Sequence, residues 1–437
     1  MLVYKFGGTS VGMPERMHKV ARLITHDDEP KIVVLSAVSG TTNALVEIGE
    51  LLLERKQDEA KQKVDDLKKH YKDFIKGLYA TSEGSKQGDA IIEKYFSEIG
   101  ALTHIPDFNL GNNKTMLAYG ELLSTHLFHY YLLEANIASV LLPALDFMTI
   151  DEHGEPEIEE ISRKLMPMIS DKKGLYITQG FICRNRDGKT DNLLRGGSDY
   201  TASIIGAAIK ASEVQIWTDI DGMHNNDPRI VDKTYPIREL TFDEAAELAY
   251  FGAKILHPSS ILPAQKYNIP VRLKSTLDHE APGTVISNTS SDVDVKAIAA
   301  KAGITAIKIK SSRMLLAHGF LRKIFEIFEK YKTSIDMITT SEVAVSVTID
   351  QPRYLEAITE ELKHLGLVEV DQNQTIVCIV GSMVSAKKGV LKRIFDAVSD
   401  IPVRMVSYGG SKNNISMLID SGYTSEMLKA LNKGLFE

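Results

Sequence analysis

Two hydrophobic periods divide the chain. Short apolar runs stop at glycine or polar clusters, and longer stretches place apolar residues three and four apart, so strands and helices are predicted in alternation. Leu2–Phe6 alternates as a strand and ends in Gly7-Gly8-Thr9-Ser10; Pro14 then opens an amphipathic helix to Ile24, at a position where its missing N–H is harmless. Residues 32–35 are wholly apolar, as in the middle of a parallel sheet, and give way to the hydroxyl-rich 36–43 before another helix. Residues 58–102 are Lys/Glu-rich at helical spacing and read as a solvated helical insertion without chemistry. A strong helix over 116–135, broken only by Gly120, carries Glu121 among Leu122, Leu123, Leu127 and Phe128. Strands are expected at 138–142 and 146–150, and a helix at 158–169.

The stretch 175–205 organises the first part of the chain. An apolar strand over 175–182 meets a polar loop, then Arg195-Gly196-Gly197-Ser198-Asp199, then a helix over 200–209. Glu213–Thr218 follows as a strand closed by Asp219-Ile220-Asp221-Gly222, Asp227-Pro228-Arg229 ends the next loop, 242–251 is amphipathic, and 269–274 reads as the last strand of this part. From about residue 295 an internal repeat takes over: Gly319-Phe320-Leu321-Arg322-Lys323-Ile324-Phe325-Glu326 matches Gly389-Val390-Leu391-Lys392-Arg393-Ile394-Phe395-Asp396, and Ile335-Asp336-Met337-Ile338 matches Val403-Arg404-Met405-Val406. Each copy reads strand, helix, two strands, helix, with a further strand in the first. The divisions this suggests are 1–294, 295–374 and 375–437.

Composition narrows the function. A chain of 437 residues has room for two or three domains, and 43% hydrophobic with 25% charged residues is ordinary for a globular protein. The net charge of -7 and the lack of a Lys/Arg stripe argue against nucleic acid. Cys183 and Cys378 stand far apart without metal spacing, which fits a reducing cytoplasm, and no run of about 18 apolar residues suggests a membrane span. The opening residues form a strand rather than the core of a signal peptide.

Strand, glycine pair and helix start recur at 2–14 and 175–209, a geometry that offers backbone N–H groups to an anion. Gly188-Lys189-Thr190 is not a phosphate loop of the GxxxxGK[ST] kind, because Cys183 stands at its first glycine. Lys5, beside Gly7-Gly8, is the better phosphate-binding lysine; its alternative is an edge residue extending to solvent. Arg195 can fork onto a carboxylate, and Asp199 calls for a lysine or a metal; the alternative is a glycine-rich turn with a surface ion pair. Glu121 lies on the outer face of its helix or is buried for a purpose. His257, beside Pro258, reads as structural.

The ordered set Lys5-Phe6-Gly7-Gly8-Thr9-Ser10-Val11, Thr178-Gln179-Gly180-Phe181, Arg195 to Asp199, Trp217-Thr218-Asp219, Asp227-Pro228-Arg229, Gly252-Ala253-Lys254 and His257-Pro258 resembles the aspartokinase family, of the amino-acid kinase superfamily, over nearly the whole chain. The resemblance implies an α/β amino-acid kinase fold followed by two α+β ferredoxin-like ACT units. It implies transfer of phosphate from ATP, with Mg2+ held mainly by the ATP phosphates and no named protein ligand, to the side-chain carboxylate of L-aspartate. By similarity Lys5 and Asp199 are catalytic; Thr42, Glu121, Arg195 and Ser198 bind aspartate; and Lys5, Phe6, Gly7, Gly8, Thr218, Asp219, His224, Arg229 and Lys254 line the ATP site. His224 departs from the tyrosine frequent in the family.

The first repeat is similar to the effector segment of lysine-inhibited aspartokinases. Met314, Gly319, Phe320, Leu321, Ser334, Ile335, Asp336, Thr340, Ser341 and Glu342 are the residues this implies, with Asp336 taking the effector's amino end. Leu316 stands where lysine-sensitive bacterial members often carry histidine. L-lysine is the expected effector, and a homodimer through the ACT units is implied; a purely structural dimerisation module is the alternative for the repeats. No dinucleotide-binding domain follows residue 437, so a fusion with homoserine dehydrogenase is not expected. Two other functions stay open: a kinase of the same superfamily acting on another acid, and an inactive amino-acid sensor.

Overall fold

Val3 and Phe6 are fully buried and Tyr4 nearly so, because β1 (Leu2–Phe6) is covered on both faces; all five residues of β2 (Lys31–Leu35) are buried for the same reason. The computed structural model describes residues 1–169, 174–193, 196–252, 256–289, 291, 293–311, 318–382, 384 and 386–437. They form two compact units.

The first unit comprises residues 1–223, 238–242 and 255–290. After β1 and β2, with α1 (Pro14–Ile24) between them, come α2 (Thr41–Leu53), α3 (Gln57–Leu78), α4 (Ser82–Leu102), α5 (Leu110–Glu134), β3 (Val140–Leu142), α6 (Ala144–Phe147), α7 (Ile158–Met168), β4 (Leu175–Gln179), β5 (Ile182–Arg184), β6 (Thr190–Asn192), α8 (Gly197–Ile209), β7 (Glu213–Thr218) and β8 (Glu239–Thr241). Then follow α9 (Phe242–Tyr250), nearly all of which belongs to the second unit, α10 (Leu262–Lys266), β9 (Val271–Ser275) and β10 (Thr284–Ser287). One sheet has the order β3-β4-β2-β1-β7-β9-β10-β8. Its strands from β3 to β9 are mutually parallel, so their carboxyl ends share one edge, with Phe6 level with Leu35 and Trp217, and Leu35 level with Gln179. That edge is where open α/β sheets bind ligands.

Several expectations are corrected. Residues 58–102 are not merely solvated: α3 buries Val64, Leu67, Tyr71, Phe74, Ile75 and Leu78, and α4 buries Ile91, Ile92, Tyr95, Phe96 and Ile99, in the same core as β1 and α5. Each such side chain contributes about 1.5–3 kcal/mol, which outweighs the charged outer face in deciding where these helices lie. Helix α5 runs through Gly120 unbroken. Residues 146–150 are not a strand, because Pro143 sets a turn that starts α6 and Gln179 Oε1 accepts from the Ala144 N–H at 2.7 Å. Helix α8 begins at Gly197 rather than at 200, which brings Ser198 and Asp199 into its first turn. Strand β9 is not the last of its part, since β10 pairs with it in antiparallel fashion.

The second unit comprises residues 224–237, 243–254 and 291–437. Besides α9 it contains β11 (Ala297–Lys310), α11 (Phe320–Lys330), β12 (Ile338–Thr340), β13 (Ala344–Ile349), α12 (Leu355–Lys363), β14 (Leu367–Val380), α13 (Val390–Ala397), β15 (Met405–Tyr408), β16 (Asn414–Asp420) and α14 (Thr424–Phe436). These strands make one sheet, β12-β13-β11-β14-β16-β15. The long strands β11 and β14 are antiparallel, with register shifts between Ala302 and Ala306 that split each into two halves. Ile307 and Ile309 pack with Phe320, Ile324 and Phe328 of the first repeat, whereas Ile298 packs with Val377, Ile379, Ile394 and Leu431 of the second. Residues 297–302 therefore supply the fourth strand of the second repeat. The contiguous divisions expected at 294/295 and 374/375 do not follow the packing, since this strand and the segments 224–237 and 243–254 cross them.

Candidate active site

Three strand ends and two helices converge at the carboxyl edge of the first unit's sheet. Lys5, one residue before the end of β1, reaches Asp199 in the first turn of α8, with Nζ 2.6 Å from Oδ1. Both side chains are mostly buried, at 13% and 15% exposure. An ion pair so placed is screened less than one at the surface. It also holds the ammonium over the turn that leaves β1, where a Cβ on Gly7 would lie 3.3 Å from Lys5 Nζ. The Gly7-Gly8 backbone thus offers N–H groups beside a fixed positive charge, a fit for phosphate oxygens.

The loop after β2 brings the second set. Ser36 Oγ donates to Ser198 Oγ at 2.9 Å, and the Ala37 N–H donates to Glu121 Oε1 at 3.3 Å. Ser124 Oγ donates to the Ser36 carbonyl at 2.8 Å, so α5 holds this loop from below. Gly120 permits that proximity: a Cβ there would stand 2.9 Å from Ala37 Cβ. Glu121 is buried, and its Oε2 accepts no hydrogen bond among the described residues. Burial pushes its carboxyl up to about 8, and the Ala37 hydrogen bond opposes this only in part. A buried carboxylate short of donors is a receptor for a cation.

Strand β4 contributes its exit. Gly180 lies so close to α8 that a Cβ would fall 2.2 Å from Ser198 Oγ and 2.9 Å from its Cα. Phe181 then turns with φ of 65°, its N–H donating to Thr201 Oγ1 at 2.8 Å. Gly196 caps α8 in the left-handed region. Gln179 Nε2 donates to Thr125 Oγ1 at 2.8 Å, which ties β4 to α5. Thr41 bonds the Tyr71 phenol at 2.9 Å, while Thr42 sits half-buried in the first turn of α2.

The sequence-derived site residues fall into groups. The structure brings together Lys5, Asp199, Ser198 and Gly7-Gly8, with Glu121 of α5 bonded to the β2 exit loop. Phe6 is buried against Trp217 with ring centroids 5.8 Å apart, and Thr218 and Asp219 close β7, Thr218 Oγ1 donating to Asp219 Oδ1 at 3.1 Å. His224 and Arg229 belong to the second unit; His224 Nδ1 lies 3.0 Å from Thr234 Oγ1, and Arg229 forks onto Asp227 at 2.7–2.9 Å. Arg195, Lys254 and Met314, like Leu316, lie outside the described residues. Ser36 and Ala37 enter the sequence reading only as part of the hydroxyl-rich 36–43, and Thr125 and Tyr71 escape it. Tyr71 leaves a trace, in the 71, 74, 75, 78 spacing of apolar residues on α3.

In the second unit, Gly319 caps α11 with φ of 82°, Phe320 is buried and Leu321 exposed. Ser341 and Glu342 lie on the exposed turn from β12 to β13, where the Ala344 carbonyl accepts from the Ser341 N–H at 2.8 Å; Ser334 and Thr340 are exposed and Ile335 half-buried. The Asp336 side chain is only 1% exposed, and its Oδ1 accepts from the Tyr250 phenol at 2.7 Å and from Lys301 Nζ at 3.0 Å.

Residues 1–275 match the amino acid kinase family, and residues 377–435 match an ACT domain. The chain is similar to the lysine-sensitive aspartokinase 3 of Escherichia coli, with 34% identity over 100% of this chain and 99% of that protein. It is also similar to two structures of E. coli aspartokinase III, each covered completely by this chain and covering it completely. The complex with lysine and aspartate in the T-state has a TM-score of 0.86 at 34% identity, and the complex with aspartate and ADP in the R-state has 0.84 at 33%.

Proposed function

The chain belongs to the aspartokinases, within the amino acid kinase family, and from that premise we propose that it transfers the γ-phosphoryl group of ATP to the side-chain carboxylate of L-aspartate under feedback by L-lysine. The observation that carries this reading is the Lys5–Asp199 pair at 2.6 Å beside the Gly7-Gly8 turn, with a cation-seeking Glu121 on α5 bonded to the neighbouring loop.

The reaction asks little of acid–base chemistry. Aspartate's side chain is ionised at neutral pH. One of its oxygens attacks the γ-phosphorus, the bond to the β,γ-bridging oxygen breaks, ADP leaves, and no proton moves. The obstacle is repulsion between two anions, so positioning and charge neutralisation supply the catalysis. Lys5 and the Gly7-Gly8 amides receive the transferring phosphoryl oxygens, and Asp199 keeps the lysine aimed. Glu121 takes the substrate ammonium, Arg195 its α-carboxylate, and Ser198 and Thr42 complete the pocket. Phe6, Thr218, Asp219, His224, Arg229 and Lys254 serve the nucleotide. Asp199 is already neutralised by Lys5, so the site fits a Mg2+ ion whose ligands are mostly ATP phosphate oxygens; that ion would reduce the charge of the transferring group.

The effector reading rests on Asp336, a buried carboxylate two residues before β12, with Met314, Gly319, Phe320, Leu321, Ser334, Ile335, Thr340, Ser341 and Glu342 as the other residues that the likeness to lysine-inhibited aspartokinases assigns to the effector. Exposed Leu321, Phe325, Ile338 and Val343 on the same repeat support burial against a second copy, hence a homodimer. The free, buried thiols of Cys183 and Cys378 support a cytoplasmic setting.

The test is aspartate-dependent ADP release with Mg-ATP, with and without millimolar L-lysine. Lys5→Ala should lower kcat by about two to three orders of magnitude, the scale for losing one preorganised charge, while lysine binding measured by calorimetry persists. Near-normal turnover in the variant would remove Lys5 from the mechanism.

A further inference from the structure

Asp336 is occupied on one oxygen and bare on the other. Tyr250 of α9 and Lys301 of β11 both donate to Oδ1, at 2.7 and 3.0 Å, and Lys301 Nζ also lies 2.8 Å from Asp350 and 4.3 Å from the Tyr250 ring centroid. Oδ2 is buried and accepts nothing among the described residues. Leaving such an acceptor dry costs the desolvation of the group, and a well-packed fold retains it only where something else offsets the loss. The cluster holds two carboxylates against one ammonium, so one further cation would balance it.

The second repeat makes the contrast. Arg404 stands where the first repeat has Asp336, and it pairs with Asp371 of β14. Asp371 lies opposite Ala306 of β11 as Lys301 lies opposite Ile376 of β14, so the two pairs occupy related places with their charges exchanged. The second pair is neutral as it stands. Of the two, the first repeat's carboxylate is the buried one, at 1% exposure against 46% for Asp371.

Resting on the reading that Asp336 receives the effector's ammonium group, we propose that Tyr250 and Lys301 form the switch contact of this site. Both fix Oδ1, and the effector's ammonium completes the carboxylate at Oδ2. Lys301 positions the carboxylate. Tyr250 converts occupancy into a change in α9, because a carboxylate drawn toward a new cation must alter its bond to the phenol. Helix α9 starts at Phe242, the residue after β8 of the catalytic unit's sheet, so a shift of α9 pulls on that strand through the chain itself. Inhibition then needs both arms: an ammonium at Oδ2 and a phenol at Oδ1.

The experiment separates binding from inhibition in the full-length protein. L-lysine affinity is read by calorimetry, and the half-inhibitory lysine concentration from aspartate-dependent ADP release. Tyr250→Phe should leave the lysine Kd within about threefold yet raise the half-inhibitory concentration about tenfold or more, within the usual range of coupling between sites. Lys301→Met should weaken lysine binding about fivefold or more, and Lys301→Arg should restore it, since a guanidinium can span the same carboxylates. A Tyr250→Phe protein inhibited at the wild-type lysine concentration, or a Lys301→Met protein that binds lysine normally, would overturn the switch. Asp336→Asn tests the underlying site: lysine binding that survives in it, or a wild-type protein that does not bind lysine, would instead overturn the effector reading.

Discussion

Glu121 illustrates how one residue can carry both recognition and a pH signature. It accepts a single hydrogen bond, from the Ala37 N–H, and burial raises its carboxyl from 4.5 to about 8. In the ligand-free protein the folded state therefore keeps a proton that the unfolded chain sheds above about 4.5. The stabilisation this gives is complete below pH 4.5 and disappears as pH rises through 8. Melting of the wild type should consequently fall more steeply between pH 4.5 and about 8, the limits of that window, than melting of Glu121→Gln; parallel curves would refute the assignment. Bound aspartate reverses the preference, since its ammonium favours the ionised carboxylate. Glu121→Gln should thus raise KM for aspartate about tenfold or more, the value of a charge-assisted hydrogen bond, and abolish the decrease of KM as pH rises toward about 8. Lys5, Asp199 and Glu121 can all be found in the sequence because each adjoins a motif of glycines or an apolar helix face. Tyr250, Lys301 and Asp336 cannot be joined there, because they lie on three separate segments and meet only through the fold.

At the scale of elements, the site depends on how closely the exit of β4 and the start of α8 can approach. Gly180 packs against the backbone of Ser198, so neither a rotamer change nor a side-chain shift can make room for a methyl group. Gly180→Ala should displace the first turn of α8, carrying Ser198 and Asp199 away from Ser36 and Lys5. Overpacking of this kind costs about 1–3 kcal/mol. The expected result is a Tm several degrees lower and a loss of turnover of about a hundredfold, the penalty of misplacing catalytic groups by an ångström. The control is Gly100→Ala, within α4, where an added Cβ meets open space; it should keep its turnover. An alanine variant at Gly180 with full activity would show that the close approach is incidental. Strands β1, β2, β3, β4, β7 and β9 of this sheet are legible in the sequence as short apolar runs, of which β1 and β4 end at glycine, whereas the short β8 and β10 are not. The starts of α6 and α8 are not, because a proline turn and a left-handed glycine cap act within one or two residues, below the resolution of periodicity.

At the scale of the whole chain, sequence order and folding order diverge in the repeats. Thr375–Val380 of β14 lies opposite 297–302 of β11, so the second repeat closes with a strand that precedes the first repeat in the chain. The repeat is visible as a similarity at a spacing of 70 residues between Gly319 and Gly389, but a similarity between copies says nothing about which copy a shared strand joins. The consequence can be tested by shortening the chain. Removing residues 373–437 strips 297–302 of its partner strand and exposes Ile298, whose neighbours Val377, Ile379, Ile394 and Leu431 are all lost. The unpaired half of β11 then becomes an open edge, a template for pairing between chains. The shortened protein should aggregate, or become susceptible to proteolysis between residues 291 and 303, when size-exclusion chromatography and limited digestion are compared with the full chain. A monodisperse, protease-resistant product of that truncation would show that the first repeat closes without the second, and that the shared pair of long strands is not what holds the regulatory unit together.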